Sequence, residues 1–387
     1  MKPILPGATV GIVGGGQLGR MTALSARAMG YRVASLDPSS DCAIAPVADQ
    51  LIVGSLQDPH AIVQLARASQ VLTLEIEKVS LEGLRLAAQY CPVHPSAEVI
   101  GQIQDKGIQK DWLREAGFPV GPYRRTPTLE ALQQAVAELG GDCFVKAPRG
   151  GYDGRGQVRV QSTDRSVISE AWEALGRADC VVEAAVSLEL ELSVLVARTV
   201  QGDMVVYVPA FNHHTRQVLD WSMWPGLFEA PVAKRAQEVA RGIAERMEVV
   251  GLLAVELFLS KQGELWVNEL APRPHNSFHA TEAGCVTSQF EQLVRAVTGL
   301  PLGSVEVARP AAVANLMGEL WGTRSELDFS LALRVPETRL HLYGKGQARP
   351  GRKMGHLSAT ASTSEEALER VCLARAQLGN ASLEEGP

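Results

Sequence analysis

The sequence predicts a multidomain protein of mixed α/β and α+β class, and three observations carry that prediction. The first is "TVGIVGGGQLGRMTALSARAMGYRVASLD" (9–37), where strand, glycine turn, helix and strand follow one another as a βαβ unit. The second is a change of pattern at Glu189, where the long strands "LELELSVLVART", "DMVVYVPA", "LLAVELFLS" and "LWVNEL" take over. The third is length: 387 residues suit two or three domains of about 100–200 residues each.

Taken in order, Gly14, Gly16 and Gly19 satisfy G-x-G-x-x-G, and Asp37 closes the next strand about 20 residues on, so the N-terminal region reads as Rossmann-like. Alternation continues through "QLIVGS", a helix at 59–68, "QVLTLEIE" and a helix from Ser80 to Tyr90, giving a first domain over 1–103. A helix at 105–117 and "GFPVGPYRRT" open a central domain over 104–300. It holds "CFVKA", a glycine loop, "DCVVEAAV" and the long strands, with a helix at 231–248 among them. A small β-rich domain over 301–387 has short strands around "TRLHLYGK" and ends in the helix "SEEALERVCLARAQL".

Composition narrows the function classes. With 46% hydrophobic and 21% charged residues, burial offsets ordering entropy and the chain is expected to fold. A net charge of −6 argues against nucleic acid as a partner, so the basic residues must act locally. Cysteines 42, 91, 143, 180, 285 and 372 form no CxxC, which speaks against a zinc knuckle or a disulfide framework and for reduced thiols. Pro and Gly interrupt the apolar N-terminus, unlike a signal peptide, and no apolar run reaches the roughly 18–20 residues of a membrane span. A cytoplasmic protein with no membrane partner is expected.

The glycine fingerprint with Asp37 suggests NAD and a dehydrogenase, but a tight turn and close helix–sheet packing explain the same glycines. A dehydrogenase also leaves the central region unexplained. There, "VKAPRGGYDGRGQVRV" (145–160) is a cationic, Gly-rich loop between strands, suited to bring backbone N–H groups against phosphate. Lys146 at its entrance suits phosphate oxygens as a point charge. Glu256 and Glu269 each sit among apolar residues on a strand, where an unpaired buried acid is costly. A divalent ion shared with a triphosphate would compensate them, as would salt bridges to Lys or Arg. Glu183 ends "CVVE", and the backbone of Ala184, Ala185 and Val186 suits an adenine edge, with Glu191 placed for ribose hydroxyls. Lys146, Glu183 and Glu191 taken singly each read more readily as a solvated surface charge than as a ligand.

Their order resembles the ATP-grasp superfamily and, within it, the 5-(carboxyamino)imidazole ribonucleotide synthase family of de novo purine synthesis. The motifs "GGGQLGRM", "LTLEIEKV", "FVKAPRGGYDGRGQ", "VVEAAV", "AVELFL", "VNELAPRPHNSFH", "SQFEQLVRAVTGLPL" and "YGKGQARPGRKMGHL" carry the resemblance over essentially the whole chain. It implies a pre-ATP-grasp N-terminal domain, a central ATP-grasp domain and ATP-dependent carboxylation of 5-aminoimidazole ribonucleotide with bicarbonate. ATP would meet Lys106, Lys146, Gly151, Tyr152, Asp153, Gly154, Arg155, Gly156, Gln157, Glu183 to Val186, Glu191, His214, Asn268 and Glu269. Magnesium, or manganese, would sit between Glu256 and Glu269. The ribonucleotide would meet Gln17, Leu18, Glu75, Tyr152, Asp153, Arg155, Arg273, His275, Asn276 and Ser277, with its phosphate held by Lys345, Arg352 and Lys353.

The catalytic set implied is Asp153, Arg155, Arg273 and His275, and either Asp153 or His275 could accept the amine proton. A homodimer is also implied. Lys106 departs from the arginine common in relatives, keeping the charge but losing the fork. The alternative is another ATP-grasp enzyme on a purine-pathway ribonucleotide, such as the formate-dependent glycinamide ribonucleotide transformylase, whose glycine loop lacks the Tyr-Asp pair.

Overall fold

Val10 stands beside Val33 on one side and Val71 on the other, and this register builds a four-stranded parallel sheet. Its order is Gln50–Val53, Arg32–Asp37, Thr9–Val13, Val71–Leu74. The two inner strands are buried almost throughout, as parallel strands covered by crossover helices must be. The computed structural model describes residues 2–150 and 156–380. Side-chain caps set the helix starts: Asp58 accepts from His60 N ahead of Pro59–Arg67, and Ser80 from Gly83 N ahead of Leu81–Ala87. Ser80 therefore precedes its helix instead of opening it. Ser96 likewise caps Ala97–Ile103.

Tyr123–Thr126, Cys180–Ala184, Cys143–Lys146 and Gln157–Val160 form, in that order, a small antiparallel sheet. Helices Leu129–Glu138 and Arg165–Ala174 back it, burying Leu132, Val136 and Ile168 against Val145, Val160 and Val182.

The large sheet has nine strands and is organised around Leu188–Arg198. Leu192, Val194 and Val196 pack with the helix Ala230–Arg246, whereas Leu195 and Ala197 join a core that includes Val10, Ile12 and Phe278. Successive strand residues point to opposite faces, so an apolar run buried on both sides serves two cores at once. The second core ties the first domain to the large sheet. "DMVVYVPA" is not the long strand its composition suggests. It is broken into Met204–Val206 and Ala210, which opens the next strand; between them Pro209 has no N–H for a ladder, and Tyr207 turns inward to donate to the Thr287 carbonyl. On the far side, Val218–Trp224 pairs with Ala311–Met317, followed by Lys353–Thr360 and Thr338–Leu342. The sheet thus runs without a break from the central region into the C-terminal segment, where Ser364–Asn380 covers it.

One cluster where that segment meets the central region invites a metal reading. Glu282, His341 and His356 lie close together, with His279 alongside. Yet His279 stacks on His356 at 4.4 Å and 5°, and His341 on His356 at 4.5 Å and 10°. Imidazole lone pairs lie in the ring plane, and parallel planes this far apart cannot converge on one ion at about 2 Å. Burial first, then the neighbouring imidazoles, hold His279 and His356 well below the usual histidine range. They are a stacked neutral core. Among the described residues no helix is long and apolar enough to cross a membrane.

Candidate active site

The site grows out of strand alternation. Leu252, Ala254 and Ala271 face the core shared with the first domain, and the next position along that face is Glu256, directly opposite Glu269. On the neighbouring strand Ala197 and Leu195 give way to Ser193 and Glu191, and beyond that Ala210 and Asn212 to His214. One face is apolar for half its length and polar for the rest. A β-bulge adds a further group. Glu256 faces Glu269 but Leu257 faces Val267, which leaves Asn268 as the extra residue, and bulges re-aim side chains. Its Nδ2 donates to Glu256 Oε2 at 3.2 Å.

This polar face, the small sheet and the first domain enclose a cavity of about 1280 Å³. That exceeds the ~300–1,000 Å³ of ordinary ligand pockets and has room for more than one ligand. Ion pairs line it. Lys106 Nζ lies 2.9 Å from Glu269, His214 Nδ1 2.8 Å from Glu191, His275 Nε2 3.1 Å from Glu256, and Arg273 Nε 2.8 Å from Glu77. Glu183 bridges two lysines, with Lys146 Nζ at 2.9 Å and Lys110 Nζ at 3.1 Å.

Burial opposes the charge on Glu183, but the two ammonium groups outweigh it and hold the carboxyl well below its ordinary value. Burial likewise opposes Glu256, and is overcome by the His275 hydrogen bond with help from His214 and Lys106. Lys106 and His214 are desolvated too, yet Glu269 and Glu191 respectively raise them. Glu256, Glu269 and the Asn268 Oδ1, buried without a hydrogen-bond partner among the described residues, form an oxygen-rich donor set of the kind magnesium takes.

The glycine fingerprint has a different occupant from the one a dinucleotide would supply. Gly15 N donates to Asp37 Oδ2 at 2.8 Å, Gly19 N to Glu75 Oε2 at 2.7 Å, and Gly16 N to the other Glu75 oxygen. A pyrophosphate would sit at this helix N-terminus. The chain's own carboxylate already fills it. A Cβ on Gly16 would fall 2.5 Å from Glu75 Oε1, so the glycine is required for this approach. Burial raises the Glu75 carboxyl against the pull of the two amides.

Most of the predicted site residues meet in this one cavity. Gln17, Leu18 and Glu75 line it from the first domain, and Lys146, Gly156, Gln157 and Glu183 to Val186 from the small sheet. Lys106, Glu191, His214, Glu256, Asn268, Glu269, Arg273, His275 and Asn276 contribute as well, and Lys345, Arg352 and Lys353 come from the C-terminal segment. Lys345 Nζ reaches Gln17 Oε1 at 2.8 Å, joining the ends of the chain. Ser277 needs correction: a 3-10 turn at Asn276–Phe278 directs it inward, where it is buried and its Oγ sits 3.1 Å from His275 Nδ1. Gly151, Tyr152, Asp153, Gly154 and Arg155 lie outside the described residues. Lys110 and Glu77 were missed. Lys110 follows Lys106 by one helical turn, a spacing that could have signalled it.

Two antiparallel sheets facing each other across a cavity lined by lysines and paired acids define the ATP-grasp class. Residues 111–290 match the model of the ATP-grasp domain, 7–104 that of the ribonucleotide synthetase preATP-grasp domain, and 311–370 that of the phosphoribosylaminoimidazole carboxylase C-terminal domain. The N5-carboxyaminoimidazole ribonucleotide synthase of Bacillus subtilis (strain 168) is 39% identical over 368 residues, 95% of each chain. The chain belongs to the N5-carboxyaminoimidazole ribonucleotide synthase family. Among solved structures, an ADP complex of an N5-carboxyaminoimidazole ribonucleotide synthetase superposes with a TM-score of 0.90 at 39% identity, covering 97% of this chain and 98% of that one. The Aspergillus clavatus enzyme in complex with ADP and 5-aminoimidazole ribonucleotide gives 0.87 at 32% identity, covering 96% and 98%.

Proposed function

We propose that this chain is an ATP-dependent carbon–nitrogen ligase that carboxylates 5-aminoimidazole ribonucleotide with bicarbonate, giving N5-carboxyaminoimidazole ribonucleotide, ADP and phosphate in purine biosynthesis. One observation carries the reading. A single cavity holds the Glu256–Glu269 pair, Lys146 and the cations Lys345, Arg352 and Lys353, so a triphosphate and a second phosphorylated ligand can share it.

A bicarbonate oxygen attacks the γ-phosphorus of ATP, the bond to ADP breaks, and carboxyphosphate forms. That species splits into carbon dioxide and phosphate, and the exocyclic amine nitrogen bonds to the carbon and loses a proton. Such phosphoryl transfer depends mainly on positioning and charge neutralisation. Lys146 and Lys106 supply positive charge to the phosphates, the backbone at Glu183 to Val186 meets the adenine, and Glu191 the ribose. A magnesium or manganese ion, bound by Glu256 and Glu269 beside Asn268, would offset the phosphate charge when present. Glu75, Arg273, His275 and Asn276 orient the ribonucleotide, and Lys345, Arg352 and Lys353 hold its phosphate. His275, fixed between Glu256 and Ser277, and Asp153 are the two candidates for the proton.

The test is phosphate release from ATP with and without each co-substrate. Release that requires both ribonucleotide and bicarbonate supports the reading; release indifferent to the ribonucleotide refutes it. The active species is taken to be a homodimer, as the family resemblance implies, and sedimentation at assay concentration checks this.

A further inference from the structure

Lys110 is 3% exposed, and the reaction as described gives it no part. It leaves the same face of the helix Lys106–Glu115 as Lys106, one turn on. Its Nζ lies 3.1 Å from Glu183 Oε2 and 3.5 Å from the carbonyl oxygen of Asn268, the bulged residue beside Glu256. Glu183 uses its other oxygen for Lys146, at 2.9 Å. Lys110 therefore touches both walls of the cavity, the small sheet through Glu183 and the large sheet through Asn268.

The charges decide what this contact does. Two lysines and one carboxylate sum to a single positive charge. Without Lys110 the sum is zero, and Glu183 cancels the ammonium of Lys146 that a phosphate needs. Burial, countered first by the attraction of Glu183 and reinforced by the repulsion of Lys146 and Lys106, lowers the Lys110 ammonium from its ordinary value. A buried lysine needed only to fill space would not have to be charged, since an apolar side chain of equal volume packs as well without the desolvation cost.

We propose that Lys110 is a positioning residue for ATP: it neutralises Glu183 and holds it in place, leaving the Lys146 charge available to a polyphosphate. This rests on the ATP-dependent reading above. Lys110→Met keeps the stem and removes the charge, and Glu183 retains Lys146, so no acid is orphaned. Calorimetric titration of the full chain with ATP should show affinity about 10- to 100-fold weaker, the loss expected for one charge-assisted contact. Steady-state kinetics should show the ATP Michaelis constant rising while that for the ribonucleotide stays within about twofold.

The discriminating variant is K110M/E183Q, which restores the single positive charge on Lys146. It should regain at least about tenfold of the lost affinity, whereas a packing role predicts no recovery from a second change. Should K110M melt below the assay temperature, Lys110→Gln, which keeps a donor for Glu183, is measured against the same thresholds. Unchanged ATP affinity in the single variant, or no recovery in the double, overturns the proposal. A wild-type chain that binds no ATP overturns the ligase reading itself and this inference with it.

Discussion

Replacing Arg352 with alanine tests how the ribonucleotide is oriented in the cavity. Arg352 lies in "ARPGRKMGH", beside Lys353 on the cavity wall, with Lys345 fixed nearby by Gln17 and the Lys353 carbonyl. A guanidinium has five N–H donors, and among the described residues Nη1 donates to the Gln347 carbonyl at 2.9 Å. The remaining donors suit two oxygens of a phosphate. A charge-assisted bond of this kind is worth roughly 1.5–3 kcal/mol, and about 1.4 kcal/mol is a factor of ten. Arg352→Ala should therefore raise the Michaelis constant for 5-aminoimidazole ribonucleotide about 10- to 100-fold, with that for ATP little changed. The Gln347 carbonyl freed by the change is exposed and turns to water, so little stability is lost. The assay is initial-rate phosphate release, varying the ribonucleotide at saturating ATP and bicarbonate, then varying ATP. A rise in the ATP constant alone would move this loop to the ATP site. No change in either would make it a solvated surface.

Glu256→Gln and Glu269→Gln should each abolish ATP turnover while the melting temperature stays near that of wild type; near-normal activity in both removes the metal assignment. Calorimetry with NAD and NADP at millimolar concentration should register no binding, because Glu75 fills the helix terminus a pyrophosphate would need; micromolar affinity for either would contradict that. Glu191, acting against burial, raises the folded-state pKa of His214. A raised histidine contributes stability that is complete below its unfolded value near 6.5 and lost as pH climbs through the folded one. The melting temperature should thus fall from about pH 6.5 upward, more steeply in wild type than in Glu191→Gln, and parallel slopes would refute the coupling.

The parts of this molecule that could be read in its sequence are those set by local pattern. The Gly14–Gly19 turn, the strand that places Lys146 before its glycine loop, and the apolar strands that carry Glu256 and Glu269 follow from composition and spacing. Grouping these residues into one site took the order of the motifs and the resemblance it carries. A further signal was available in "SQFE": Ser288 caps Gln289–Thr298 by accepting from Glu291 N, and left-handed Gly299 ends that helix. Other features depend on partners far along the chain. The bulge that turns Asn268 toward Glu256 exists only in the pairing of two strands, and the Glu183 that Lys110 meets is 73 residues away (183 − 110). "APRPHNS" reads as uniformly ligand-facing because nothing local shows that the turn at Asn276 points Ser277 inward. The stack of His279, His356 and His341 arises likewise from strand register, with His341 opposite His356.

The unbroken nine-stranded sheet has a mechanical consequence. Backbone amides in its interior strands are bonded on both sides, so they can exchange with solvent only when large parts of the sheet open together. Leu188–Arg198 and Gly251–Ser260 should be among the slowest-exchanging segments, and Glu256 and Lys353 ride on that same frame. The small sheet is a separate hydrogen-bonded unit with its own core. Breathing of the cavity should therefore fall to the small sheet, which carries Lys146 and Glu183, while Glu256 and Lys353, both on the large sheet, should keep their spacing.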